Sequence, residues 1–321
     1  MPRSGTTWLG KILDSHPQTL YRHEPDTWRR LESVPLFAVP EQVSELGEPV
    51  RDFLASLPDM LADRVCGKRP IFPKTYASPL AVRVYATRSL LHKALGRVGW
   101  TTRAPLPAQP ATGAPYRIAM KSIESLGRVG LFAACLPEAR FVHIVRHPCG
   151  YVASVLRGEQ QNLFGHNEAA SDFELYRLAC ETAPARRHGI TLETIRALTP
   201  AERLAWRWLI YNEKAHGELA GDARATTLYY EQLCAQPVAS ARELFAHLEL
   251  DWHGQAQQFI VDSTSASRKD YYSVFKDPLT SAWRWQRELD AADAERVMAI
   301  VARSPVAQPY LEPRDWNRAS A

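Results

Sequence analysis

Two short segments of this 321-residue chain combine residue types that bind phosphate or sulfate groups. In the first, a glycine-containing turn precedes residues 8–15, whose apolar side chains recur at helical spacing. Such a turn offers free backbone N–H groups at the positive end of a helix dipole. The lysine of the nucleoside-triphosphatase loop GxxxxGKS/T is absent, so an arginine would supply the cation. The residues of this turn are Arg3, Ser4, Gly5, Thr6 and Thr7.

The second segment follows a β-branched run, residues 141–145, that is typical of a buried strand. Arg146 comes directly after this run, and Ser154 comes eight residues later on a segment with helical spacing. Ligands of open α/β folds gather at the carboxyl ends of the strands, where an arginine fork binds phosphate well. We therefore expect Arg146 and Ser154 to face one phosphate.

The elements that must position these residues alternate between strands and helices. Strands are predicted at residues 19–21, 116–120, 141–145 and 226–230, and helices at residues 200–219 and 291–301. This alternation is typical of a parallel sheet with helical crossovers. We predict an α/β fold with a parallel sheet of about four or five strands flanked by helices, in a single domain spanning residues 1–321.

Residues 26–115 have a different character. Prolines recur through them, and residues 104–110 cannot sustain a helix. We predict an insertion of short helices and loops that covers one end of the sheet, on the side of the acceptor substrate.

Composition indicates which class of ligand the protein binds and in which cellular compartment it lies. The net charge of +4 suits an anionic ligand, but it is lower than the concentrated positive charge expected of a protein that binds nucleic acid. A transmembrane run and a secretion-signal layout are both missing from the sequence, so we expect a cytoplasmic protein without a membrane partner. The five cysteines form no CxxC pair, which predicts reduced thiols.

The two phosphate-binding segments, PRSGTTW and RHPCGYVAS, together resemble the signatures of sulfotransferases that use 3′-phosphoadenosine 5′-phosphosulfate, PAPS. The resemblance extends to YEQL at residues 230–233 and LTSAW at residues 279–283, and its style is closest to carbohydrate, tyrosylprotein and bacterial sulfotransferases. It implies a P-loop-like fold in which the first turn holds the 5′-phosphosulfate. It also implies that Arg146 and Ser154 hold the 3′-phosphate.

Sulfuryl transfer needs a base for the acceptor hydroxyl and positive charge on the sulfate and the leaving oxygen. Arg3 meets the second need, and the resemblance adds Lys121 and Ser281 at the sulfate. The base implied by the glutamate-proline element is Glu24. His23 is the alternative base. Cytosolic small-molecule sulfotransferases use the histidine of a Lys-x-His element as the base, and this chain has Ile123 at that histidine position. The difference from those enzymes favours Glu24 over His23.

The resemblance implies further nucleotide contacts. Trp8 and Tyr230 are the aromatic candidates for the adenine, and Lys276 lies in a basic loop, residues 268–278, that would close over the nucleotide. No metal is expected, because arginine, lysine and a helix dipole supply the charge that Mg²⁺ brings elsewhere. His143 and His147 flank a strand end and do not share a helix face.

Family members begin with an apolar strand before the first turn, so we expect a misplaced start or a truncated record here. Two alternatives remain open. One is a P-loop-type kinase, and the other is a non-catalytic, truncated nucleotide-binding relic. For the leading hypothesis the acceptor is a hydroxyl-bearing small molecule or carbohydrate, with no nucleic acid involved.

Overall fold

The computed structural model describes residues 1–100, 102–162, 168–265, 277–312 and 316, and these residues form a mixed α/β fold that is mostly helical. The α-helices, in chain order, are α1 (Thr6–Asp14), α2 (Pro25–Trp28), α3 (Val43–Ala55), α4 (Asp63–Cys66), α5 (Pro79–Arg97), α6 (Val129–Cys135), α7 (Pro148–Gln160), α8 (Phe173–Cys180), α9 (Ala183–Arg187), α10 (Leu192–Ala197), α11 (Pro200–Glu218), α12 (Tyr230–Ala235), α13 (Pro237–His247), α14 (Gly254–Ser265), α15 (Pro278–Trp283), α16 (Trp285–Glu288), α17 (Ala291–Val301) and α18 (Gln308–Leu311). Short 3-10 helices span Pro40–Gln42, Leu57–Asp59, Ser125–Arg128 and Pro305–Ala307.

The strands of the described residues pair in parallel, two by two. They are β1 (Thr19–His23), β2 (Arg117–Lys121), β3 (Phe141–Val145) and β4 (Ala225–Tyr229). β1 pairs with β2 so that His23 lies opposite Lys121, and β3 pairs with β4 so that Val145 lies opposite Tyr229. Each pair therefore brings two strand ends, and the residues that follow them, to one edge.

The prediction of one sheet of four or five strands is wrong for the described residues, because the two pairs are separate. A cavity of about 410 Å³ lies between them, lined by β2 and the residue after it, by residues 142–144 of β3 and by α1. Strands form a ladder only where their backbones lie about 4.8 Å apart, so β2 and β3, which line this cavity, do not pair across it. Strand positions were readable from the sequence, whereas strand adjacency was not.

The predicted insertion, residues 26–115, contains more helix than expected. α3 has 13 residues and α5 has 19, so the expectation of short helices is wrong for these two, while residues 104–110 lie outside helices and strands as predicted. Buried Arg22 ties β1 to this region, since its guanidinium donates to the carbonyls of Leu57 (2.7 Å) and Pro58 (2.6 Å).

A second buried tie joins the insertion to the first helix. The ammonium group of Lys74 donates to the Thr19 carbonyl at 2.8 Å and pairs with the Asp14 carboxylate at 3.0 Å. Lys11, also buried, pairs with the same carboxylate and donates to the Lys68 carbonyl at 2.9 Å. One carboxylate between two ammonium groups offsets part of the cost of their burial, and it fixes the insertion against the helix that carries the first turn.

The largest hydrophobic cluster surrounds α11, which packs against α7 and α17. A capping box at Thr199 and Glu202 begins this helix, with Pro200 at its first position, as such sequences favour. Its fully buried Trp208 donates its indole N–H to the Arg146 carbonyl at 2.9 Å. The core helix thus fixes the end of β3, where the second phosphate-binding segment begins.

Within the described residues, no helix combines the length and the apolar content needed to cross a membrane. All five cysteines are free thiols.

Candidate active site

The first turn leads directly into α1 through a glycine in the left-handed region. Gly5 has φ +80°, and a Cβ placed there would lie 2.3 Å from the Tyr230 ring, so the position requires glycine on both grounds. Gly5 is the N-cap residue of α1, and because it has no side chain it cannot bind the N–H groups of the first turn. Ser4 and Thr6 beside it are buried. The first-turn N–H groups of α1 are therefore available to an anion.

Arg146 lies against this turn, although the two are far apart in the sequence. Its guanidinium donates to the Arg3 carbonyl at 2.8 Å and to the Ser281 carbonyl at 2.9 Å, and it stacks 5.0 Å from the centre of the Tyr230 ring. The buried Nε atom of Arg146 has no hydrogen-bond partner among the described residues. A guanidinium with an unused donor beside a helix N-terminus suits a phosphate.

The two phosphate-binding segments also touch directly. The Nε–H of Arg3 donates to the Ser154 hydroxyl at 3.1 Å, and Arg3 itself adopts a left-handed backbone conformation with φ 65°. Such backbone strain in a residue other than glycine concentrates at functional sites. The structure therefore brings together Arg3, Gly5, Arg146, Ser154 and Tyr230, five of the residues that the sequence analysis predicted for the nucleotide site.

A second group of predicted residues lies at the ends of β1 and β2. Glu24 follows β1 with φ 48°, and its N–H donates to the Lys121 carbonyl at 2.7 Å. The Lys121 ammonium group forms an ion pair with the Glu24 carboxylate. Burial lowers the pKa of Lys121, and the Glu24 charge opposes that effect. The predicted base and the predicted sulfate-binding cation are thus direct neighbours.

Asp26 connects the segment after β1 to the segment after β2. Its fully buried carboxylate accepts hydrogen bonds from the hydroxyls of Ser122 and, at 2.6 Å, of Ser125. Because Ser122 directly follows Lys121, Asp26 links the turn that carries the base to the strand end that carries the cation. The sequence analysis missed Asp26, and its position two residues after Glu24 was the only available signal.

His23, the rival base, has a different environment. Its Nδ1 lies 2.9 Å from the Tyr21 hydroxyl, and its Nε2 lies 3.8 Å from Glu24 Oε1. Burial, followed by the nearby charge of Lys121, lowers the pKa of His23 to about 2. An imidazole with that pKa is a weak proton acceptor at neutral pH, which disfavours His23 as the general base.

The YEQL element has a structural role that the sequence did not disclose. Glu231, fully buried, accepts a hydrogen bond from the His147 backbone N–H at 3.0 Å and from the Tyr310 hydroxyl at 2.8 Å. Burial raises the pKa of Glu231. Trp208 binds the carbonyl and Glu231 binds the N–H of the peptide bond between Arg146 and His147, so the two side chains together fix this peptide. Neither residue carried a role in the sequence analysis.

The remaining predicted residues have varied environments. Trp8 packs in a hydrophobic cluster and donates its indole N–H to Ser263 at 3.0 Å, so its ring is largely committed to the core. Ser281 lies beside Arg146, and Thr7 is in the first turn of α1. Lys276 lies outside the described residues.

The two histidines near β3 are engaged separately. His143 Nε2 contacts Asn212 at 3.0 Å, whereas His147 Nδ1 accepts the Cys149 N–H at 3.2 Å. Across the described ranges, no cluster of histidine, cysteine, aspartate and glutamate side chains is suited to hold a metal ion.

Comparison with known proteins adds independent information. A profile described as "Sulfotransferase family" matches residues 1–254. Carbohydrate sulfotransferase 5 of Mus musculus is 22% identical over 325 aligned positions, which cover 93% of this chain and 76% of the mouse protein.

Two solved structures are also similar. The sulfotransferase domain from the Synechococcus PCC 7002 olefin synthase has 16% identity and a TM-score of 0.45, covering 98% of this chain and 93% of that domain. The sulfotransferase domain from the curacin biosynthetic pathway has 13% identity and a TM-score of 0.40, covering 94% of each chain.

The matched residues include both phosphate-binding segments and all four described strands. The chain therefore belongs to the sulfotransferase family, and this membership implies sulfuryl transfer that depends on PAPS.

Proposed function

We propose that this protein transfers the sulfuryl group of PAPS to an acceptor hydroxyl, with Glu24 as the general base. The acceptor oxygen attacks sulfur in line with the bond from sulfur to the 5′-phosphate oxygen. As the new S–O bond forms and the old one breaks, the hydroxyl proton passes to Glu24. The products are the sulfated acceptor and 3′,5′-adenosine bisphosphate.

The contact between Arg146 and the first turn carries this proposal. PAPS has phosphate groups at two ends of one adenosine, so its site must unite two anion-binding elements. The 2.8 Å hydrogen bond from Arg146 to the Arg3 carbonyl and the 3.1 Å bond from Arg3 to Ser154 unite them. In this assignment, α1 and Arg3 bind the phosphosulfate, while Arg146 and Ser154 bind the 3′-phosphate.

The catalytic end of the site rests on Lys121 and Glu24. Their ion pair shows that both groups reach the same point at the ends of β1 and β2. In-line transfer requires the base and the sulfate-binding cation to lie on either side of the attacking oxygen, so the direct Lys121–Glu24 ion pair must open when PAPS and the acceptor bind. Lys121 and Arg3 would stabilise the charge that develops on the sulfate and the leaving oxygen. Ser281 would add a hydrogen-bond donor.

An open groove of about 660 Å³ in the insertion is our candidate for the acceptor side. Trp28, which is 51% exposed, lines it one helical turn after Glu24, together with Arg29, Asp59 and Arg103. A half-exposed indole with forked polar side chains around it, among them Arg64, whose guanidinium lies 4.8 Å from the centre of the Trp28 ring, suits a polyhydroxylated ring. We propose a carbohydrate-like alcohol as the acceptor, in agreement with the name of the mouse relative.

Transfer from radiolabelled PAPS to a panel of sugars, aliphatic alcohols and phenols tests the proposal. Glu24→Gln keeps the shape of the side chain and removes its basicity, so we expect kcat to fall by about a hundredfold or more while 3′,5′-adenosine bisphosphate still binds. Glu243→Gln, at an exposed position on α13, is the matched control and should behave as the wild type. A Glu24→Gln enzyme that keeps a wild-type kcat would contradict the assignment of the base.

A further inference from the structure

Helix α5 presents an apolar row to solvent on the side opposite its buried face. Val82, Tyr85 and Ser89 are buried against the protein. Leu80 (70% exposed), Leu91 (56%) and Val98 (69%) point the other way and recur along the whole helix.

Helical geometry places these residues on one face, where Thr87 lies between Val84 and Leu91. At 100° per residue, Leu80, Val84, Leu91 and Val98 fall within about 40° of one another, on the face opposite Ser89. The row is therefore about 27 Å long at 1.5 Å per residue. Trp100, three residues after the last residue of the helix, is 68% exposed and adds apolar surface near its end.

The charged residues within this segment of the chain all have the same sign. Residues 79–103 contain arginine at positions 83, 88, 97 and 103 and lysine at position 93, and they contain no aspartate or glutamate. On the helical wheel Arg83 and Arg88 lie on the two flanks of the apolar row, about 60° and 80° from Leu80. Long basic side chains at the edge of an apolar face can extend to phosphate groups while their stems stay in contact with hydrocarbon.

We propose that α5 and Trp100 form a docking surface for an anionic lipid bilayer, in which the helix lies flat at the interface. The apolar row enters the boundary between headgroups and acyl chains, and the basic flanks contact lipid phosphates. This differs from the expectation, drawn from the sequence, that the protein has no membrane partner.

The charge pattern favours a lipid surface over a second copy of the chain. Pairing two α5 helices through this row would bring Arg83 and Arg88 of both copies together, and residues 79–103 offer no acidic counterpart, so like-charge repulsion opposes the pairing. The exposed row of a single helix is also convex and does not enclose a peptide, whereas a fluid bilayer conforms to it. Tryptophan beside the row is typical of residues at a membrane interface.

Co-sedimentation of the full chain with extruded vesicles tests the proposal. We expect binding to vesicles of phosphatidylcholine with about 30% phosphatidylglycerol in about 0.15 M salt, and loss of binding with phosphatidylcholine alone or in about 0.5 M salt. Arg83→Gln combined with Arg88→Gln should weaken binding about 30-fold. Arg242→Gln, on α13, is the matched charge control.

The apolar contribution has its own pair of variants. Val98→Ser should weaken binding about tenfold, whereas Val261→Ser, at an exposed position on α14, should leave it unchanged. Urea denaturation establishes that all variants fold. Three results would overturn the proposal: a wild-type chain that stays in the supernatant with anionic vesicles, equal effects of Val98→Ser and Val261→Ser, or a solution dimer that Val98→Ser dissociates.

Discussion

Gly5→Ala probes the contact that joins the first phosphate-binding turn to the second half of the chain. The added methyl group would lie 2.3 Å from the Tyr230 ring, well inside van der Waals contact, and Tyr230 is only 8% exposed. The backbone at Gly5, with φ +80°, is also unfavourable for alanine. The substitution therefore adds two penalties at one site.

The sizes of the two penalties can be separated. The left-handed conformation costs alanine about 1–2 kcal/mol, and the overpacking against Tyr230 costs about 1–3 kcal/mol. Gly5→Ala should thus lower the free energy of unfolding by about 2–5 kcal/mol. Gly221 has a similar φ of +77°, and the described residues place no atom within 4 Å of the point where its added methyl group would lie. Gly221→Ala should therefore cost only the conformational part.

Urea denaturation of both variants measures the difference, and calorimetry with 3′,5′-adenosine bisphosphate measures the effect on the site. Gly5→Ala should also weaken nucleotide binding, because the backbone N–H groups must approach the anion closely. Combining it with Tyr230→Leu should recover part of the lost stability. If Gly5→Ala proves no more destabilising than Gly221→Ala, the packing of Tyr230 on the turn is not as described.

Three further predictions concern the site and its support. Arg146→Lys keeps the charge but loses the planar fork, so calorimetry should find 3′,5′-adenosine bisphosphate bound at least about tenfold more weakly; unchanged affinity would remove Arg146 from the site. Asp26→Ala leaves two serine hydroxyls without their acceptor, so it should lower the free energy of unfolding by about 3 kcal/mol and reduce kcat. Asp262→Ala, at an exposed position, is the control and should change neither quantity in the same assays. Burial lowers the pKa of His143 from 6.5 to about 4. Between these two pH values the unfolded chain binds a proton at His143 that the folded chain does not bind, so the free energy of unfolding decreases as the pH falls. His143→Gln should therefore lessen the loss of stability between pH 6.5 and pH 4 by about 3 kcal/mol in urea titrations, and an unchanged pH dependence would refute the shift.

Much of the local structure was readable from the sequence. The helix predicted at residues 291–301 has those bounds in the structure, and the helix at residues 200–219 ends one residue earlier than predicted. The strand at residues 141–145 is also as predicted. The strand predicted at residues 226–230 lies at Ala225–Tyr229, because Tyr230 instead begins a helix. These elements depend on side-chain periodicity and capping residues, which neighbouring positions in the chain decide.

The sequence by itself also determined which residue types the candidate site contains: a cation, hydroxyls and a glycine before one helix, and an arginine and a serine around another strand end. Only the tertiary structure decided which distant groups meet. The pairing of Lys121 with Glu24, the hydrogen bond from Trp208 to the Arg146 carbonyl and the separation of the two strand pairs all join segments far apart in the chain. Such contacts depend on how whole elements pack, because burial and strand pairing select partners by shape and distance and leave no periodic signal in the sequence.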